Sequence, residues 1–179
     1  MRRLTFLLLL LMNAGLLLGA WPFWGAQQKA AAREELLPAS QNLAIVVNRN
    51  NPINSLSTVE LRRIFLGARG HWPNGRRITI VMMEPGQPER ATVLRAICQM
   101  SETEFSNHFL HGLFTGEVLV SPKTLSSPEG VRKFVVYVPG AIGYLRASDV
   151  DGTVKVVRID ERYPGDKGYP YLVAPPASR

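Results

Sequence analysis

Cysteine occurs once in 179 residues, at Cys98, so no disulfide can form within the chain. An oxidising compartment is compatible with that only if the thiol is buried. Histidine is almost as scarce, at His71, His108 and His111, and the 14 acidic residues are outnumbered by 21 basic ones. There is no Gly-x-Ser-x-Gly and no P-loop, and Cys98 falls on an apolar face. Nothing therefore resembles a nucleophile with its base, and the chain reads as a non-enzyme with no cofactor implied. Internal repeats and low-complexity tracts are missing too. With 46% hydrophobic and 20% charged residues the composition argues against disorder and against a coiled coil, and the length suits one domain with its own core.

Long apolar runs are confined to the start of the chain. Arg2 and Arg3 precede a run over residues 4–26 broken only by Thr5 and Asn13 among apolar and small residues. The segment 1–26 reads as a signal peptide or a membrane anchor. Ala30, Ala31 and Ala32 offer a small-residue cleavage site, whereas the length of the run and the cluster Trp21, Phe23, Trp24 suit an uncleaved span with an interfacial aromatic belt. The basic residues ahead of the run place the body of the protein across the membrane in either case. Residues 27–42, rich in Ala, Gln, Lys, Arg and Glu, read as a solvated spacer, and 43–175 as the folded domain. From Arg33 onward 18 basic residues face 14 acidic ones, a mild bias of +4. Such a surface attracts anionic solutes or lipid headgroups, while export argues against nucleic acid.

Within the domain, residues 43–47 form an unbroken apolar run with β-branched members, the pattern of a strand buried on both faces. Ser57 and Glu60 have the spacing of a capping box ahead of Leu61, Ile64 and Phe65, and Gly67 and Gly70 close that helix. Asn74 and Gly75 signal a turn into a second strand at 78–82. A helix is expected over 89–99. Ser101 and Glu104 offer another capping box, followed by Phe105, Phe109 and Leu113 at helical spacing. Ser126, Ser127, Pro128 and Glu129 open a last helix with Val131, Phe134, Val135 and Val138 on one face. Pro139 and Gly140 end it, Gly140 by tolerating left-handed dihedrals, and Ile142 and Tyr144 then alternate as in a strand. A further strand is expected over 154–159. Strands alternating with helices favour an α/β sandwich around a mostly parallel or mixed sheet.

Two separated segments carry a family likeness. One is Pro139, Gly140, Ala141, Ile142, Gly143, Tyr144. The other is Val46, Val47, Asn48, Asn51, Pro52, then Ser55, Leu56, Ser57, then Ile64, Phe65, Leu66, Gly67, and finally Trp72, Pro73, Gly75. In order and spacing they resemble the second lobe of the periplasmic phosphate-binding proteins of ABC uptake systems, and more closely the short, single-lobe relatives of those proteins. The resemblance covers 43–173. It implies one lobe of a type II periplasmic binding protein, a sheet flanked by helices, with phosphate or a related oxyanion as ligand and an ABC permease as partner.

In that family a Gly-Ser-Gly-Thr type loop opens a helix whose backbone donors and hydroxyls hold the oxyanion. The loop that corresponds here runs through residues 84–90 and has lost the hydroxyls. What the resemblance carries over is Gly86, Gln87 and Arg90 as ligand-binding positions at a helix start. Pro88 removes a donor, and Glu84 and Glu89 add negative charge; the structural alternative is that Arg90 pairs with one of those two carboxylates. Ser126 and Ser127 read as helix caps rather than anion donors. Glu104, His108 and His111 share a spacing that metal ligands need, but beside Phe105 and Phe109 they read as solvent-facing, and no metal is assigned. Trp72 reads as a core anchor for its loop, and His71 has no partner identifiable from sequence.

Two functions follow as expectations. One is an exported solute-binding-protein-like domain taking phosphate or a related oxyanion for ABC transport. The other is a non-catalytic interaction module that keeps the lobe fold without phosphate binding, its partner a protein, a partner lobe or a second copy. Both place the domain in the periplasm or on the outer face of the cytoplasmic membrane.

Overall fold

Six consecutive uncharged residues, Leu43–Asn48, form β1, and every one of them is buried. Burial at each position, rather than at alternate ones, requires a sheet covered on both faces. The computed structural model describes residues 41–173. After β1 come β2 (Ser55–Leu56), α1 (Thr58–Phe65), β3 (Thr79–Met83) and α2 (Pro88–Thr92), which continues directly into a π-helical segment, Val93–Cys98. Then follow α3 (Glu102–Thr115), β4 (Lys123–Leu125), α4 (Pro128–Tyr137), β5 (Ala141–Arg146), a 3₁₀ turn (Ala147–Asp149), β6 (Val154–Val156) and β7 (Arg158–Ile159). The segment 1–26 read as signal or anchor, and the spacer up to residue 40, lie outside the described residues.

The sheet has the order β4-β3-β5-β1-β6. β3 runs parallel to both β4 and β5, whereas β1 runs antiparallel to both β5 and β6. The sheet is thus mixed: helical crossovers join the parallel strands, and β1 enters against them. The stretch 154–159, expected as one strand, divides at Val157. Its first part extends the main sheet on β1, and its second pairs with β2 in a separate parallel ladder. The ends of the domain are tied together, since Val173 N–H donates to the Gln41 carbonyl and Leu43 N–H to that of Tyr171.

Helix starts are where the residue pattern predicted them. Ser57 caps α1 and Ser101 caps α3, each in a reciprocal box with Glu60 or Glu104, and Ser127 caps α4 ahead of Pro128. The hydrogen bonds from Ser57, backbone first, hold the Glu60 carboxyl below its ordinary range. A carboxylate with a depressed folded value stabilises the fold above its unfolded value and loses that contribution as pH falls through the folded one. Ser57→Ala is therefore expected to cost about 1 kcal/mol at neutral pH. In urea titrations the gap between variant and parent should narrow only slightly on acidification below the ordinary carboxylate range. The backbone bond from residue 57 to the Glu60 carboxylate is kept in both proteins, and only the weaker bond from the hydroxyl titrates away in the parent alone.

Core packing decides three further points. Phe105 and Phe109 are buried with Gly112 beneath them, but Leu113, expected on the same face, is exposed. Trp72 is buried and its indole N–H donates to the Gly140 carbonyl at 3.0 Å, as an anchor should. The last helix ends at Tyr137 with Val138 at its cap, before Pro139 and Gly140, and Gly140 is a glycine for another reason. Its backbone is not left-handed; a Cβ there would fall well inside 3.0 Å of the Arg77 carbonyl oxygen. Close approach of two backbones selects the glycine.

Candidate functional site

The loop 84–90 leaves the C-terminal end of β3. Glu84 N–H donates to the Leu125 carbonyl and Gln87 N–H returns to that of Glu84. Gly86 makes the turn with φ +91 and has open space where a side chain would project. Gln87 sits at the cap position without a side-chain hydrogen bond to the helix, and Pro88 opens α2. The loop thus turns at Gly86 into the start of α2, with no hydroxyl in it.

Arg90 forms an ion pair, though not the one expected of it within the loop. Its side chain is only 7% exposed and is spent on neighbours. Nε donates to both Glu102 carboxylate oxygens, at 2.9 and 3.1 Å, Nη2 donates to the same carboxylate, and Nη1 donates to the Met83 carbonyl at 2.8 Å. The guanidinium also lies over the Phe105 ring, 5.5 Å from its centroid. The carboxylate partner is Glu102, the first residue of α3, and neither Glu84 nor Glu89. Glu89, itself buried, pairs with Arg146 at the end of β5. Two fork-shaped cations therefore tie α2 to α3 and α2 to the sheet. Glu102 and Arg146 are the site residues that sequence reasoning missed. Glu102 follows directly on the Ser101 cap, so an acidic first-turn residue beside a second helix start was the available signal.

Beside this network lies an open concavity of about 720 Å³. Gly86, Ala91, Leu94 and Met100 give it apolar walls, and its charged lining is Arg95 with the carboxylates of Glu102 and Glu104. Of the three expected ligand positions only Gly86 lines it; Gln87 and Arg90 do not. Glu104 is committed to its capping box, which holds its carboxyl below the ordinary range. His108 turns its ring to the Leu66 carbonyl at 2.9 Å, and among the described residues no group of three His, Cys, Asp or Glu side chains could hold a metal ion. Cys98 is buried under the same helices. Desolvation pushes its thiol up to about 12, leaving no thiolate for chemistry at neutral pH.

No family model matches the sequence. Solved structures do resemble it. An ABC-type phosphate transport receptor from Vibrio cholerae superposes with a TM-score of 0.57 at 21% identity, over 69% of this chain and 48% of that one. A putative phosphate ABC transporter substrate-binding protein with bound phosphate, from Clostridium perfringens, gives 0.54 at 22%, over 69% and 46%. PstS from Borrelia burgdorferi gives 0.53 at 13%, over 69% and 49%. At these identities the likeness is one of fold, and the chain spans about half the length of the structures it matches. The fold is thereby that of one α/β lobe of such proteins, a mixed sheet flanked by helices. The particular relatives it resembles are the phosphate receptors that the sequence motifs pointed to. A shared fold does not bring a shared ligand with it.

Proposed function

We propose that this chain is an exported, non-catalytic interaction module that keeps the lobe fold of the phosphate receptors without a phosphate site at residues 84–90. One observation carries the reading: the guanidinium of Arg90, the cation expected to meet the anion, is buried and already neutralised by Glu102. An incoming phosphate would have to displace a bidentate carboxylate and would meet Glu84 on the way, so Coulomb repulsion replaces attraction. The concavity beside Gly86, apolar in part and lined by one arginine against the two carboxylates of Glu102 and Glu104, suits a protein partner or a second copy better than a small dianion. The apolar start of the chain supports a position in the periplasm or on the outer face of the cytoplasmic membrane.

The second reading is capture of phosphate or a related oxyanion for an ABC permease. It is favoured by the turn at Gly86 with open space above it and by the phosphate bound in the Clostridium perfringens structure. Calorimetric titration of the purified full chain with inorganic phosphate separates the two. We expect no saturable heat at millimolar phosphate. Saturable micromolar binding that disappears in a folded Arg90→Ala variant would overturn the interaction reading in favour of transport.

A further inference from the structure

The end of the sheet opposite the candidate site carries a second feature. The last turns of α3 bury Phe109 and Gly112, which leaves Leu110, Leu113 and Phe114 exposed on a neighbouring stripe at three- and four-residue spacing, with Phe114 85% exposed. From Phe105 to Gly116 the helix has no Asp, Glu, Lys or Arg. Gly116, at φ +76, then turns the chain so that Val118 tucks under Gly112 and Leu119, also exposed, lies against Gly70. A single exposed leucine is ordinary on a soluble surface, but several on one helix end form a patch.

What adjoins the patch indicates its partner. Gly70 belongs to the loop 68–77, which contains Arg69, Arg76, Arg77 and His71 and no acidic residue. Arg69 reaches Glu60 at 3.6 Å; Arg76 and Arg77 are exposed and form no ion pair among the described residues. This loop feeds the start of β3, and α4, which precedes β5, ends at the same edge with Tyr137 81% exposed. Apolar and aromatic side chains flanked by arginines match the headgroup boundary of an anionic bilayer, where the former enter the acyl edge and the latter meet lipid phosphates. The carboxylate of Glu117, near the tip, is the group opposing this.

We propose that this end of the domain seats on an anionic lipid surface, with Leu110, Leu113, Phe114 and Leu119 in the headgroup boundary and Arg76 and Arg77 on lipid phosphates. The inference does not depend on what the opposite end binds.

The test uses the full chain in vesicles of phosphatidylcholine alone or with about one third phosphatidylglycerol. Any tether from the apolar start of the chain is then common to both. A polarity-sensitive fluorophore is placed at Thr115→Cys, with Glu84→Cys at the far end of β3 as control; buried Cys98 stays unlabelled. The probe at 115 should shift to the blue and be quenched by brominated lipid in the anionic vesicles only, and added salt should reverse both effects. The control probe should do neither. Arg76→Ser with Arg77→Ser should lower the ratio of seated to free probe by about twenty-five-fold, from about fivefold per arginine, and Phe114→Ser should abolish the shift. A probe at 115 that stays in water on anionic vesicles overturns the proposal. So does an equal shift on both vesicles that grows with the protein-to-lipid ratio, which would assign the face to a second copy.

Discussion

Replacing Gly140 with alanine is expected to lower the stability of the domain by about 3 kcal/mol. The added Cβ would press on the carbonyl oxygen of Arg77, a backbone atom that cannot rotate away. The Gly140 carbonyl meanwhile accepts from the indole of Trp72 and from Thr79 N–H, both at 3.0 Å. Shifting residue 140 therefore strains the Trp72 anchor and the first rung of the β3–β5 ladder, Thr79 with Ala141, together. Urea unfolding followed by tryptophan fluorescence measures the loss. Gly152→Ala is the control: it has ordinary backbone dihedrals and open space at its Cα, so it should change stability by less than about 0.5 kcal/mol. Equal midpoints for the two variants would remove the packing argument for Gly140.

The second large effect concerns the pair beneath the candidate site, and its prediction is an order rather than a single value. Glu102 is 41% exposed and Arg90 only 7%, so exposure alone would make Arg90 the costlier loss. The electrostatics point the other way. Glu102→Ala leaves a buried guanidinium without a counter-charge, a change worth about 3 kcal/mol. Arg90→Met takes the buried charge away, keeps apolar contact with Phe105, and frees Glu102 to turn into water; what it leaves is the unsatisfied Met83 carbonyl, costing about 1 to 2 kcal/mol. Combining the two should cost less than their sum. If Arg90→Met proved the more damaging, the guanidinium would be acting mainly as packing, and the case that its charge is already spent would weaken.

Much of this fold is legible residue by residue. The strand at β1 follows from six uncharged residues in a row, the starts of α1, α3 and α4 from a serine with its third-residue partner, and the turn at Gly75 from Asn74 before it. These are signals read over a few residues, because hydrogen bonds to helix ends and turn dihedrals are local. The candidate site was less legible. Its loop could be found from the order of the motifs, and Gly86 as its turning residue, but the fate of Arg90 could not. Two nearby carboxylates, Glu84 and Glu89, offered themselves in sequence, and the carboxylate that binds it is twelve residues away on another helix.

The sequence by itself thus determined the apolar start of the chain, the alternation of strands and helices, the helix caps, and the likeness to a receptor lobe. Tertiary structure alone decided that β1 runs against its neighbours, that Arg90 meets Glu102 while Glu89 meets Arg146, that Gly140 is a glycine because Arg77 presses on it, and that Leu113 faces outward with Phe114. Each of those depends on where one element lies against another. Burial and strand pairing set that position over long separations, and short-range residue preferences carry no record of it.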